Sequence, residues 1–175
     1  MKKSVYAMVG FLSICTAAPS AMAQQVEDPL YLIGKVGFMD ADIGGFDSAT
    51  NIGVAVGYDL YRLTTGIVSV EGELTTTIVD GDIDGGGDWD VDTLAAYGVY
   101  RSLGEIYFKG KAGVHRQDIK RAGGTVGPIP DAKDTTFAVG IGGGWRIDRA
   151  SAFEVEYTAG SDDLDFISLG YVFRF

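Results

Sequence analysis

From residue 30 onward the chain alternates between apolar and polar positions. In Leu30–Met39 the even positions are Leu30, Leu32, Gly34, Val36 and Phe38, and Tyr31, Lys35 and Gly37 stand among the odd ones. Thr50–Tyr61 sets Ile52, Val54, Val56, Tyr58 and Leu60 against Asn51, Gly53, Ala55, Gly57 and Asp59. Ile67–Thr77 opposes Val68, Val70 and Leu74 to Ser69, Glu71, Glu73 and Thr75. Ile106–Gln117 opposes Ile106, Phe108, Ala112 and Val114 to Lys109, Lys111, His115 and Gln117. Phe153–Ala159 and Phe166–Phe175 repeat the pattern, with Glu154, Glu156, Ser168, Gly170 and Arg174 on the less apolar faces. A period of two predicts β-strands with one face on each side of a sheet. Val91–Arg101 and Thr135–Ile147 fit as strands with less sharply divided faces.

These segments make eight strands of about ten residues, the length that crosses a bilayer at a tilt. Strands of a soluble sandwich are usually about five or six residues. The connectors alternate in length, short at Arg62–Gly66, Arg101–Gly104 and Asp148–Ala150, long at about Asp40–Ala49, Ile78–Asp90 and Asp118–Asp134. Gly160–Asp165 is shorter but polar. No stretch after residue 24 approaches the roughly eighteen apolar residues of a helical span. In a bilayer only helices and closed barrels satisfy their backbone polar groups. The fold class expected is all-β, an eight-stranded antiparallel up-and-down transmembrane barrel. An even strand number puts both ends on one side.

The N-terminus reads as an export signal over residues 1–23. Lys2 and Lys3 supply the positive start, Val5–Ala18 is mostly apolar, and Ala21-Met22-Ala23 is an A-x-A cleavage site. Residues 24–28 then form a short extension and 29–175 the barrel domain. Cys15 falls inside the signal, so the mature chain carries no thiol and no disulfide. Removing two lysines leaves 12 basic against 24 acidic residues, and so acidic a chain repels nucleic-acid phosphate.

The chain closes on Ser168-Leu-Gly170-Tyr-Val-Phe173-Arg-Phe175. Ser168, Gly170, Phe173 and Phe175 match the terminal assembly signal of outer-membrane barrels: a polar residue, glycine two later, then two aromatics. With the export signal and the alternation, residues 29–175 resemble the small eight-stranded OmpA/OmpX-type, porin-family barrels. The resemblance implies a Gram-negative outer-membrane location, surrounding lipid and lipopolysaccharide, a monomer, and the barrel-assembly machinery as a partner. OmpA-type proteins often carry a periplasmic peptidoglycan-binding domain after the barrel. The sequence reaches Phe175 without one, so cell-wall anchoring is not expected.

Eight strands leave an interior that side chains can fill. Lys35, Glu71, Glu73, Lys109, Lys111, Glu154 and Glu156 share the inward face of outward-running strands. They are expected to form one charged layer at mid-height, with Arg174 nearer the periplasmic rim, because buried charges persist only when paired. A plug and an ion gate are both open readings of that layer. His115 faces inward, and no serine–acid partner is apparent for it in the sequence. Gly140–Trp145, "GIGGGW", lacks the spacing of a nucleotide fingerprint, and its inward glycines give room to bulky neighbours. Trp89, Trp145, Tyr58, Tyr61, Tyr100, Tyr107 and Tyr171 are candidates for interface girdles. Arg62, Arg101 and Arg149 fall at short turns, whereas acids gather in the long loops, so the two rims should differ in charge.

"VDGDIDGGGDWDVD" begins like a calcium loop. Asp80, Asp82, Asp84 and Gly85 fit positions 1, 3, 5 and 6 of an EF-hand and Asp88 fits position 9, but position 12 is Val91 and no helices flank it. A solvated acidic loop and a weak calcium or magnesium site are the two readings, with no other cofactor expected. The function expected is a non-enzymatic barrel that contributes to envelope integrity and displays acidic extracellular loops. The alternatives are a narrow channel for ions or small solutes and an adhesion or ligand-binding surface.

Overall fold

The computed structural model describes residues 28–41, 47–82, 88–122, 132–160 and 164–175. Among them lie eight long strands: β1 (Leu30–Ala41), β2 (Ala49–Arg62), β3 (Gly66–Val79), β4 (Asp88–Ser102), β5 (Ile106–Ala122), β6 (Ala132–Arg146), β7 (Ser151–Gly160) and β8 (Leu164–Arg174). Gly81–Asp82 adds a two-residue ladder to Trp89 and Asp88 at the tip of the β3–β4 hairpin. Each strand pairs antiparallel with the next, and β8 returns to β1 over Tyr31↔Arg174 to Ala41↔Leu164. The sheet therefore closes on itself and leaves no edge.

The ladders also fix the tilt. From Met39 the register passes through Phe166, Thr158, Gly140, Lys111, Val99 and Ser69 to Asp59. The Asp59 amide donates to the Pro29 carbonyl at 2.8 Å, so the path returns to the first strand ten residues before its start. A stagger of ten rises around eight strand spacings corresponds to a tilt of about 40°, within the usual barrel range. Ten residues at that tilt rise about 25 Å, the height of the apolar band of such barrels.

The wall is inverted relative to a soluble protein. Leu32, Val36, Val54, Val56, Leu74, Leu94, Val114, Ile141, Val155 and Leu169 face outward and are exposed. Among the described residues the buried set holds seventeen polar or charged residues and fifteen apolar ones. Only a lipid surround makes that distribution favourable, since water would penalise the apolar face and reward the polar one.

The strands run farther than the hydropathy pattern indicates. Asp118, expected in a long connector, pairs with Asp92 and Lys133, and β5 continues to Ala122. Backbone pairing there outlasts the alternation because ladder bonds do not depend on side-chain polarity. At the other end β4 extends to Ser102 and the turn is Leu103–Glu105.

Candidate functional site

The site grows from the inward positions of five strands. On β4 the inward residues are Val91, Thr93, Ala95, Tyr97, Val99 and Arg101. Arg101 is in phase with them, 1% exposed and turned into the lumen. Its placement at a short turn is thus corrected: one more residue of ladder carries it inside. Its Nε donates to Glu154 Oε1 at 2.7 Å, its Nη1 to the Tyr31 hydroxyl at 2.7 Å, and its Nη2 to Glu71. The Tyr31 hydroxyl donates in turn to Glu71 Oε1 at 2.9 Å, and Tyr107 donates to Glu154 Oε1 at 2.7 Å.

Lys109 links this tier to a second one. Its Nζ lies 3.3 Å from Glu71, 2.9 Å from Glu154 and 2.7 Å from Glu156. In the second tier Lys35 pairs with Glu73 and, at 2.9 Å, with Glu156. Lys111 reaches Glu156 at 2.8 Å and Glu73 at 3.4 Å, and its ammonium sits 4.0 Å from the Tyr97 ring centroid. Every one of these charges is buried. Four carboxylates face four cations, so the network is neutral, and each ion has at least two oppositely charged partners. Burial of unpaired charge costs several kcal/mol per ion, which only such multiple pairing offsets.

The structure thus brings Lys35, Glu71, Glu73, Lys109, Lys111, Glu154 and Glu156 together, with Arg101, Tyr31, Tyr97 and Tyr107 added. A count of inward charge was the signal for Arg101: three lysines against four glutamates leave one carboxylate uncompensated. Tyr107, a girdle candidate, is 4% exposed and turned inward, because Gly144 opposite it leaves space where a Cβ would collide with its ring. Gly57 does the same for Tyr31.

Two smaller clusters flank the network. Toward the short turns, Arg174 pairs with the buried Asp59, which also accepts from Ser69 Oγ at 2.6 Å. The guanidiniums of Arg101 and Arg174 lie 4.8 and 4.9 Å from the Tyr31 ring centroid. Toward the long connectors, Met39, Glu73, Thr93, Tyr97, His115, Thr158 and Phe166 line a cavity of about 20 Å³, room for about one water. Among the described residues no serine lines this cavity beside His115.

The other expected residues fall as follows. Ser168 is inward and 3% exposed, while Phe173 and Phe175 face out and meet edge to face at 5.2 Å. Gly170 lies across the ladder from Lys35 and Glu154. Tyr58, Tyr61, Trp145, Phe153 and Tyr171 are exposed near the short-turn end, where Tyr100 donates to the Thr65 carbonyl. Asp80 is exposed. Asp82 and Asp88 oppose each other in the backbone ladder. Asp84, the side chains of Asp82, Asp88 and Trp89, and the cleavage residues Ala21 and Ala23 lie outside the described residues. Among the described residues no group of three or more His, Cys, Asp or Glu is placed to hold a metal ion.

Residues 7–175 match the family model described as the outer membrane protein beta-barrel domain. Among curated proteins no significant match is found. The fold is similar to that of Ail, the attachment invasion locus protein of Yersinia pestis, at 17% identity over 84% of this chain and 97% of that one, with a TM-score of 0.52. It is similar to the N-terminal β-barrel domain of Pseudomonas aeruginosa OprF, at 16% identity over 86% and 100% of the two chains, TM-score 0.52. It is also similar to the outer membrane enzyme PagL, at 17% identity over 83% and 99%, TM-score 0.52. At these identities the likeness concerns the fold alone.

Proposed function

Because the chain belongs to the outer membrane protein beta-barrel domain family and resides in the outer membrane, we propose that it is a closed, non-enzymatic barrel that contributes to envelope integrity. In this reading residues 1–23 are removed on export, the short turns face the periplasm, and the acidic long loops face outward among lipopolysaccharide. The barrel-assembly machinery inserts it by way of Ser168, Gly170, Phe173 and Phe175.

The observation that carries the reading is the neutral, mutually paired set of eight charges across the lumen. An ion entering the lumen would have to displace at least one of these pairs in a site of low dielectric, which opposes conduction. Planar-bilayer recording together with a deletion strain tests this. The expected result is no steady conductance from the purified protein and detergent sensitivity in the strain. Steady single-channel steps would overturn it.

A second reading rests on the chemistry of the plug. It consists of charges rather than packed aliphatic side chains, and charged pairs can exchange partners. A narrow gated channel would therefore show steps that disappear in K109M/K111M.

A further inference from the structure

At the short-turn end the lumen opens into a basin of about 450 Å³ lined by Arg62, Arg146, Arg149, Arg174, Asp28 and Phe175, among others. That volume is typical of a small-ligand site. The four arginines come from the ends of β2, β6 and β8 and from the β6–β7 turn, so the barrel's closure, not a local run of basic sequence, brings them together.

Two of the guanidiniums are held in place. Arg146 lies 4.3 Å from the Tyr107 ring centroid and donates to the carbonyls of Gly104 and, at 3.3 Å, Ser102. Arg174 lies over Tyr31 and pairs with Asp59. Arg62 and Arg149 are exposed at the rim. Only Arg174 among the four has a carboxylate partner among the described residues. The nearby Asp148 carboxylate accepts instead from the amides of Ala150 and Ser151, at 2.7 and 2.8 Å. Counting Asp28, Asp59 and Asp148, the side chains leave an excess of one positive charge directly below a network that is itself neutral.

We propose that this basin is an anion-binding vestibule that takes a phosphate ester. A carboxylate presents one planar edge to one or two guanidinium forks. A phosphate presents three or four oxygens in several directions, which suits forks converging from separate strands. Leu103 and Phe175 at the margin of the basin are exposed apolar groups against which the organic part of an ester can lie. The ester can be the headgroup of an anionic phospholipid in the surrounding leaflet or a soluble molecule.

The test uses the purified full barrel. Inorganic pyrophosphate is titrated by calorimetry into protein held in a zwitterionic detergent, for the wild type and for R62Q/R149Q. Both replaced side chains are exposed, and a gel-shift assay checks that the variant folds. Wild-type binding weakened at least tenfold in the variant supports the vestibule. No binding in the wild type at millimolar pyrophosphate, or equal binding in the variant, overturns it. The titration is then repeated in nanodiscs of phosphatidylcholine with and without phosphatidylglycerol. Binding abolished only by phosphatidylglycerol marks a lipid headgroup as the occupant, and binding unaffected by it marks a soluble ester.

Discussion

Replacing Arg101 with methionine isolates the energetics of the lumen. The guanidinium is 1% exposed and serves Glu71, Glu154 and Tyr31 at once. Methionine fills much of the same volume, so the cavity contribution is small and the loss is mainly electrostatic. Removing one partner of a buried pair costs about 3–5 kcal/mol. Lys109 remains 3.3 Å from Glu71 and 2.9 Å from Glu154, which argues for the lower end, about 3 kcal/mol. That is roughly a hundredfold in the folding equilibrium. Urea unfolding in phospholipid vesicles, followed by tryptophan fluorescence, reads it as a drop in midpoint of about 1–3 M. R101M/E154Q removes one charge of each sign and restores neutrality, so the double variant should recover at least half of the loss. A cost for R101M below about 1 kcal/mol, or a double variant as unstable as the sum of the singles, would refute the view of a charge-balanced network.

Three further outcomes follow from the same geometry. Adding a methyl at Gly144 or Gly57 drives it into the ring of Tyr107 or Tyr31, and G144A or G57A should each destabilise by about 1–3 kcal/mol in the same urea titration. Y107F removes the 2.7 Å hydrogen bond to Glu154 and should cost about 1.5 kcal/mol, the low end for a bond to a charged acceptor. Its gel mobility should stay that of a folded barrel. Outer-membrane fractions should contain the protein as a heat-modifiable band, whereas a soluble band that does not shift would contradict a transmembrane barrel.

Strand identity and facing were legible because a period of two ties each residue to one side of a sheet. Glu154 and Glu156 are inside because Phe153, Val155 and Tyr157 are outside. Arg101 was not placed by the same logic, because it lies two residues from the turn at Leu103–Glu105 on a strand with mixed faces. Tyr107 shares the inward phase of Lys109 and Lys111, and only its aromatic character near a strand end suggests a girdle. Tyr107 also depends on Gly144, a partner 37 residues away that only the register identifies. The pair Arg174–Asp59 joins β8 to β2 across the intervening β1, a relation that no single strand's pattern contains. The arginine basin is legible in part: Arg62, Arg149 and Arg174 are expected at the short-turn rim, but Arg146 and the convergence of the four on one basin depend on the closure of the barrel.

The seam between β1 and β8 has a consequence for biogenesis. Its eleven registered pairs join the first described strand to the last. Until β8 arrives, β1 and β7 would each present a row of unsatisfied amides and carbonyls to hydrocarbon, at several kcal/mol per group. No partial barrel is therefore a stable resting state in the bilayer. The seam acts as a check on completeness: a copy interrupted before Leu164 has no strand to pair with β1 and cannot close, however well its earlier hairpins have formed.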